Sequence, residues 1–420
     1  MTKLKRDKSR FYNYPPFLFP VKGKEIFEKK RIGLYIHIPF CERLCFFCPY
    51  TKYLSKKQKI IQYVSALKKE IKFISSQNAL SNYAVSSVFF GGGTPSFLSA
   101  KQLTEILSFC RNHFVFLEGI QITVEANPSS VDEQKLKQLK KAGFNRISFG
   151  IQSFNDKFLK KLGTAHDSVK AVNAVNLAKN YFNSINLDLM YALPEQTLSD
   201  WQTDLIKATK LKVSHLTTYA LDVVPGTVFF ALKERKILGE IPSFEKEKEM
   251  LFLSDKLLGK KGFKRYLIDQ FALKGKESSY AKQTLSGEVI GLGCGAFSHF
   301  NDFEFRNSLN LEKYLEEAEN GFAVEAGKKL TKKEQMERFM IKGLLSLEIN
   351  SEIFKEKFGV ELNKVFEKQI TFLSKEKMIS VKKNKINVLP EGRLYIYNLC
   401  RQFYSEENNG LMKEFEKNNC

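Results

Sequence analysis

After residue 30, short apolar runs alternate with longer stretches in which apolar residues recur every three or four positions. The short runs are rich in β-branched and aromatic residues and end at Gly, Pro, Asn or a charge, which indicates β-strands. The longer stretches have the spacing of amphipathic helices. We predict strands at residues 32–38, 86–93, 119–128, 145–152, 183–194 and 214–221.

The stretches between these strands predict helices with recognisable ends. Ser99 is a plausible N-cap for the helix that follows it, and Gly143 stands where a helix C-cap belongs. Six strand–helix units in succession predict an α/β fold with a parallel sheet and right-handed crossovers, either an open doubly wound sheet or a partial barrel.

Unusual residues stand at four of the predicted strand ends. These are the glycine run 91–93, Glu125, Gln152 and Asp188. Parallel α/β folds bind ligands at the C-terminal ends of their strands. The sequence therefore predicts that these residues meet in one site.

Near Leu330 the pattern changes to a series of amphipathic helices, within residues 335–346, 351–359 and 362–379. The segment "ISVKKNKINVL" (379–389) then reads as a short hairpin. Helices followed by a hairpin resemble a winged helix, so we predict a separate, mostly helical C-terminal domain.

Composition and charge narrow the function classes. The 420 residues carry a net charge of +21, which would attract an anionic partner, although solvated lysines spread along the chain explain it equally well. No apolar run reaches 18 residues and the N-terminus lacks a secretory pattern, so we expect a cytoplasmic protein without a membrane span. The seven cysteines, an odd number, indicate thiols or metal ligands rather than a disulfide framework.

Three cysteines follow the first predicted strand in "HIPFCERLCFFCPY": Cys41, Cys45 and Cys48. The C-x3-C-x2-C spacing suits a [4Fe–4S] cluster with one iron left without a protein ligand. Structural zinc would need four closed ligands, and the next cysteine is as distant as Cys110. An open iron could bind a substrate or a cofactor.

These motifs resemble the radical S-adenosylmethionine (SAM) superfamily, and within it the oxygen-independent coproporphyrinogen III oxidase family. The resemblance spans about residues 10–405 and is carried by "YIHIPFCERLCFFC", "FFGGGTPSFLS", "VEANPSS", "GFNRISFGIQSFND", "INLDLMYALPEQT", "GLGCGAF" and "GRLYIYNLCRQF". It implies a partial (β/α)6 barrel with a C-terminal winged-helix-like domain. It also implies a [4Fe–4S] cluster that cleaves SAM reductively to a 5′-deoxyadenosyl radical.

With this resemblance, the chain divides into five predicted regions. They are a basic N-terminal strap (1–30), the radical SAM barrel with its C-terminal extension (31–300), a connector (301–329), the winged-helix-like domain (330–405) and a polar tail (406–420).

The resemblance also implies which residues hold the first SAM and the cluster, the latter by the three cysteines. Glycines after a strand would let the backbone approach the methionine part of SAM, because they have no Cβ. A buried carboxylate would accept hydrogen bonds from the SAM ammonium. Residues matching the first SAM site are Tyr35, Gly92, Gly93, Glu125, Ala220 and Phe297.

The family's decarboxylase holds a second SAM beside the first, and the resemblance extends to that pocket. The matching residues are Phe47, Gly93, Thr94, Gln152 and Asp188. An arginine expected twelve residues after Gln152 is replaced by Thr164, so the second SAM carboxylate would lose its bidentate partner. A second SAM would then depend on another cation.

Short departures from the family pattern bear on the reaction. Tyr50 stands where the decarboxylase has a further cysteine, and "SSYAKQTLSGEVIGLGCGA" lacks the HN-x-x-YW stretch of the heme-chaperone branch. The stretch "FCPY" resembles class C radical SAM methyltransferases and cyclopropanases. The expected reaction is therefore methyl or methylene transfer to an sp2 carbon of an aromatic or tetrapyrrole-like substrate.

Two alternatives remain open. The N-terminal "RFYNYPP" resembles true oxidases and favours oxidative decarboxylation of a coproporphyrinogen. A non-catalytic heme- or nucleic-acid-binding protein with a structural cluster is a third possibility, although the last domain has no concentrated basic recognition helix. Expected partners are an anionic or aromatic small molecule and a reductant such as flavodoxin or ferredoxin. We expect a monomer that binds neither membrane nor nucleic acid.

Overall fold

The protein is represented by a computed structural model that describes residues 31–54, 56–80 and 83–419, with side chains to residue 412. The predicted N-terminal strap and "RFYNYPP" lie outside the described residues. Among the described helices, none is both long and apolar enough to span a membrane.

One large sheet of twelve strands dominates the described chain. Its strands are β1 (Ile32–Ile38), β2 (Ala84–Gly92), β3 (Val115–Ala126), β4 (Arg146–Gln152), β5 (Ile185–Tyr191), β6 (His215–Ala220), β7 (Lys264–Arg265), β8 (Gln270–Ala272), β9 (Glu288–Leu292), β10 (Phe297–Phe300), β11 (Phe303–Asn307) and β12 (Val324–Lys329).

The six predicted strands are confirmed and lie side by side in sequence order, with every neighbouring pair parallel. Sequence reasoning missed β9, which pairs in parallel with β1 and so adds a seventh strand to the parallel part. The strands β10, β11 and β12 continue antiparallel from β9, while β8 and β7 extend the other edge. The segment predicted as a connector (301–329) therefore contributes two strands, β11 and β12, to this sheet, and a helix lies between them in the sequence.

Sixteen helices are found in the described residues. They are α1 (Lys57–Ser75), α2 (Ala100–His113), α3 (Glu133–Ala142), α4 (Asp156–Leu162), α5 (Ser168–Ala178), α6 (Leu198–Lys210), α7 (Val228–Glu234), α8 (Phe244–Lys260), α9 (Ser279–Ser286), α10 (Leu311–Glu319), α11 (Lys332–Leu345), α12 (Ser351–Phe358), α13 (Leu362–Lys375), α14 (Pro390–Leu394), α15 (Ile396–Arg401) and α16 (Glu406–Asn419).

Both predicted helix ends are confirmed. Ser99 accepts a hydrogen bond from the backbone N–H of Gln102, whose side chain in turn accepts from the N–H of Ser99, so α2 begins with a capping box. Gly143 ends α3 at φ +101°, a left-handed conformation that favours glycine.

Alternation along β1 separates two environments. Ile32, Leu34, Ile36 and Ile38 are fully buried and belong to the main hydrophobic core. The intervening side chains point to the opposite face of the sheet, because successive strand residues alternate. Those intervening positions, including Tyr35, line the inside of the partial barrel.

The C-terminal domain contains α11 to α15 and a three-stranded antiparallel sheet of β13 (Glu348–Asn350), β15 (Lys385–Val388) and β14 (Ile379–Lys382). This arrangement confirms the predicted hairpin, and the domain has its own hydrophobic core. A buried ion pair, Arg338 Nε to Glu304 at 2.5 Å, joins α11 to β11 of the large sheet. The boundaries drawn at residues 300 and 330 stay a prediction, and the predicted polar tail is helical in α16.

Candidate active site

The C-terminal ends of the parallel strands surround an open cleft of about 940 Å³, counting the space up to bulk solvent. All three cysteines of the motif line it, together with the predicted strand-end residues. The predicted site residues in its wall are Cys41, Cys45, Phe47, Cys48, Gly92, Gly93, Thr94, Glu125, Gln152 and Asp188.

The loop that carries the cysteines follows β1 directly and is held at several points. The backbone N–H of Cys41 donates to the carbonyl of Tyr53 at 3.1 Å. Further along, the N–H of Phe46 donates to Leu162 O at the end of α4, and Phe46 O accepts from the N–H of Phe229. The loop is therefore held by its own backbone and by the helices α4 and α7.

The thiols of Cys41 and Cys45 have raised pKa values, and a bound metal would remove their protons. Burial and the neighbouring cysteines raise the pKa of Cys45 to about 12, and burial also raises the pKa of Cys41. A bound metal ion deprotonates a coordinating thiol outright. Within the described residues, no group of three or more Cys, His, Asp or Glu side chains forms a site for a single metal ion. Three cysteine thiols that line one cleft are a donor set of the kind that holds an iron–sulfur cluster.

The glycine turn after β2 packs against this loop with no room for side chains. The N–H of Gly93 donates to Ile38 O at 2.9 Å, and a Cβ on Gly93 would lie 3.0 Å from Cys41 Sγ. Gly92 has φ +116°, and a Cβ there would lie 2.6 Å from the His37 ring. Only glycine fits both positions.

Glu125, at the end of β3, faces the same turn. Its Oε2 accepts the N–H of Gly92 at 3.2 Å, and among the described residues no cation lies within hydrogen-bonding distance of its carboxyl. Burial, with the nearby Asp188 carboxylate second, raises the pKa of Glu125 to about 8. A carboxylate in this setting would be stabilised by a ligand cation such as an ammonium group.

The ends of β4, β5 and β6 supply the opposite wall of the cleft. Gln152 has φ +66°, and its Oε1 accepts a hydrogen bond from the Tyr219 hydroxyl at 2.7 Å. Asp188 accepts from Ser148 and Asn186, and burial raises its pKa. Amide and carboxylate groups here could bind hydroxyl or amino groups of a ligand.

Thr164, which replaces the expected arginine, does not line the cleft. Its hydroxyl donates to His166 O at 2.9 Å, and the side chain is buried. The cations that do line the cleft are Arg43 and Lys52, of which Lys52 bonds the carbonyl of Cys48. Either could bind a ligand carboxylate, so a second SAM stays a prediction.

Three predicted SAM residues lie outside the wall of the cleft. Tyr35 packs beside the stacked rings of Phe89 and Tyr280, with its hydroxyl 3.0 Å from His37 Nδ1. Ala220 is buried at the end of β6, and Phe297 is 37% exposed at the start of β10. Their roles in SAM binding stay predictions.

Sequence reasoning passed over Tyr219 and His37. Tyr219 lies one residue before the end of β6, so the rule that pointed to Glu125 could have found it. His37 stands in the quoted cysteine motif; its Nε2 donates to Thr51 O at 3.1 Å, and burial lowers its pKa to about 4. The neutral His37 ring packs against the backbone of Gly92.

Comparisons with known proteins agree with this geometry. Residues 35–206 match the Radical SAM superfamily, and residues 330–395 match the HemN C-terminal domain. The heme chaperone HemW of Lactococcus lactis is 32% identical over 384 residues, which cover 91% of this chain and 99% of that protein. HemW of Bacillus subtilis is 32% identical over 86% of this chain and 96% of its own length.

The oxygen-independent coproporphyrinogen III oxidase of Salmonella typhimurium is 29% identical, over 90% of this chain and 86% of its own. Among solved structures, coproporphyrinogen III oxidase (HemN) from Escherichia coli, described as a radical SAM enzyme, superposes with a TM-score of 0.79 at 26% identity. That match covers 90% of this chain and 91% of HemN.

Fold and cleft together define a radical SAM protein, a class that uses a [4Fe–4S] cluster and SAM. Within that class, the chain belongs to the family of HemW and oxygen-independent coproporphyrinogen III oxidase. The predicted partial barrel with its C-terminal helical domain is thereby confirmed. The predicted methyl transfer, which rested on the short "FCPY" stretch and on departures from the family pattern, finds no support in these relatives.

Proposed function

We propose that this protein binds a [4Fe–4S] cluster through Cys41, Cys45 and Cys48 and cleaves SAM reductively, acting on a tetrapyrrole in heme metabolism. The carrying observation is that three cysteines, a glycine turn and the buried carboxyl of Glu125 share one cleft. When bound, the cluster and SAM supply a 5′-deoxyadenosyl radical, the hard chemistry that the protein itself cannot perform.

The chain's own residues would bind and orient the cluster, SAM and the second molecule in the cleft. The three thiolates would hold three irons and leave the fourth facing the cleft. Gly92 and Gly93 have no side chains, so the ligand could approach the backbone closely there. Glu125 would accept hydrogen bonds from the N–H groups of the SAM amino group. Gln152 and Asp188, on the opposite wall, would fix the second molecule in the cleft, whether that is substrate or another SAM.

Anaerobic reconstitution with iron and sulfide, followed by reduction in the presence of SAM, tests this function. We expect about four irons per chain and 5′-deoxyadenosine as a product. A reconstituted, reduced protein that leaves SAM intact would overturn the proposal. A flavodoxin- or ferredoxin-type reductant stays a prediction, which substitution of either protein for a chemical reductant would check.

For the reaction itself, we propose oxidative decarboxylation of a coproporphyrinogen-type substrate. Likeness to coproporphyrinogen III oxidases over nine-tenths of the chain supports it, as does a cleft with Arg43 and Lys52 at its wall. These cations would bind propionate carboxylates. Incubation with SAM, a reductant, a one-electron acceptor and coproporphyrinogen III should release carbon dioxide and yield vinyl products. For each propionate, the SAM-derived radical would take one hydrogen atom and the acceptor would take the remaining electron. Formation of 5′-deoxyadenosine without any decarboxylated product would refute this substrate.

Heme binding is the second candidate, because the identity to HemW, described as a heme chaperone, is higher at 32%. The chain lacks the HN-x-x-YW stretch of that branch, so any heme would need other ligands. Titration of the reconstituted protein with heme, followed by its absorption spectrum, separates the two. Tight stoichiometric binding without decarboxylation would favour a chaperone.

A further inference from the structure

Beneath the cleft, the partial barrel contains a layer of polar side chains where apolar packing is usual. The layer consists of Ser148 on β4, Asn186 on β5 and His215 on β6, which are successive partners in the strand register. All three are at most 3% exposed. None of them lines the cleft, whereas Asp188, the next inward residue of β5, does.

Hydrogen bonds join this layer into one chain that ends at Asp188. Asn186 Nδ2 donates to Asp188 Oδ1 at 2.7 Å and to Ser148 Oγ at 2.7 Å. Ser148 donates in turn to Asp188 Oδ2 at 3.2 Å. On the other side of the amide, Asn186 Oδ1 lies 2.5 Å from Nδ1 of His215 and also accepts a longer hydrogen bond from the Thr217 hydroxyl at 3.2 Å.

These contacts determine which ring nitrogen carries the proton. Because Asn186 Oδ1 is an acceptor, Nδ1 of His215 must be the donor. Burial, with Arg146 second, lowers the pKa of His215 well below its usual value, so the ring is neutral and has one proton. Its Nε2 then faces the hydroxyl of Tyr266 at 2.8 Å.

We propose that His215 is a positioning residue whose Nδ1–H fixes the Asn186 amide, which in turn aims the Asp188 carboxylate into the cleft. With the proton on Nε2 instead, the amide would turn to give its N–H to His215. Its oxygen would then face the carboxylate of Asp188, two acceptors in contact. The tautomer of a buried histidine thus controls a carboxylate of the ligand site. This role rests on the proposed function only in naming the ligand of Asp188, which is a second SAM or the tetrapyrrole substrate.

Two variants separate positioning from packing. His215→Leu removes the donor, and His215→Asn retains one, since its Nδ2 falls near the place of Nδ1. We expect His215→Leu to raise about tenfold the KM for the molecule that Asp188 binds, measured with SAM and with coproporphyrinogen III varied in turn, with iron content and kcat near wild type. The reason is that Asn186 loses the donor that fixes its amide, so Asp188 is no longer held in place. His215→Asn should restore the KM. Equal impairment in both variants, or a normal KM in a folded His215→Leu, overturns the proposal.

A second measurement does not depend on SAM turnover. The chain has only five histidines, so 15N-histidine labelling of the full-length reconstituted protein gives a short spectrum. The His215 signals are assigned by their loss in His215→Asn. We expect the Nδ1–H tautomer, and an Nε2–H or doubly protonated ring would overturn the proposal. A wild-type protein that fails to cleave SAM would refute the proposed function and leave this measurement to decide the role of His215.

Discussion

Glu125 offers the sharpest test of the SAM site, through the substitution Glu125→Gln. A glutamine keeps the size of the side chain, and its amide oxygen can still accept the N–H of Gly92, which is 3.2 Å from Oε2 in the wild type. The glycine turn should therefore stay in place. The variant loses only the negative charge that faces the ligand amino group.

The expected loss can be estimated from this geometry. A hydrogen bond to a charged group contributes about 1.5–3 kcal/mol, so the Kd for SAM should rise roughly 10- to 100-fold. The pKa of Glu125 near 8 adds a pH signature. Below pH 8 the carboxyl is protonated and must lose its proton to bind a cation, so wild-type affinity should rise toward pH 8 and level off above it. Glu125→Gln should lack this dependence.

Anaerobic titration of SAM into the oxidised, reconstituted proteins between pH 6 and 9 measures both effects, with pH values chosen around the pKa. Comparing the wild type with Glu125→Gln cancels the titration of SAM itself. An equal Kd for the two proteins across this range would refute the reasoning, as would a pH dependence retained by Glu125→Gln. Iron content serves as the control for an intact cluster site.

Three further predictions concern the cluster, the glycine turn and the domain contact. Cys48→Ala should abolish iron binding and SAM cleavage together, as measured by iron analysis and product formation. Gly92→Ala should lower the free energy of unfolding by about 2 kcal/mol, since its backbone is left-handed and its Cβ meets His37. Arg338→Met should cost about 3 kcal/mol by denaturant unfolding, because it leaves Glu304 buried without its main cation.

Each of these has a matched control. Cys110→Ala changes a buried cysteine of α2 outside the cleft and should retain iron; a full cluster in Cys48→Ala contradicts the ligand assignment. Gly119→Ala has a positive φ but open space around its Cβ, so it should cost less than Gly92→Ala.

For Arg338→Met the control is the pH dependence of the free energy of unfolding. Arg338 is the main cause that holds the pKa of Glu304 at about 2, against the effect of burial. The lowered pKa of Glu304 stabilises the folded protein at pH values above about 4.5. This contribution is lost as the pH falls from about 4.5 toward 2. In Arg338→Met this acid-dependent loss should shrink, and an unchanged pH profile would contradict the ion pair.

How much of the site could be predicted differed from residue to residue. Glu125, Gln152 and Asp188 were predicted to meet from their places at strand ends alone, and the structure brings them into one cleft. Tyr35, Ala220 and Phe297 were assigned from the resemblance alone and do not line this cleft, so their roles in SAM binding stay predictions. The polar layer under Asp188 was not predicted, since alternation along a single strand cannot say that Ser148, Asn186 and His215 share one level.

The fold shows a similar division. Local patterns predicted six strands, two helix ends and the C-terminal hairpin, because period, capping residues and turn residues act within a few positions. The strand β9 was not predicted, since its parallel partner β1 lies some 250 residues earlier in the chain.

By itself, the sequence determined the parallel α/β class, the three-cysteine motif and the superfamily, because each depends on residues close together in the chain. Only the tertiary structure decided that Gly93 touches Cys41, that Glu125 has no cation beside it among the described residues, and that His215 reaches Asp188 through Asn186. These contacts join separate strands, and the register of a sheet is set by packing across the whole barrel rather than by any one segment.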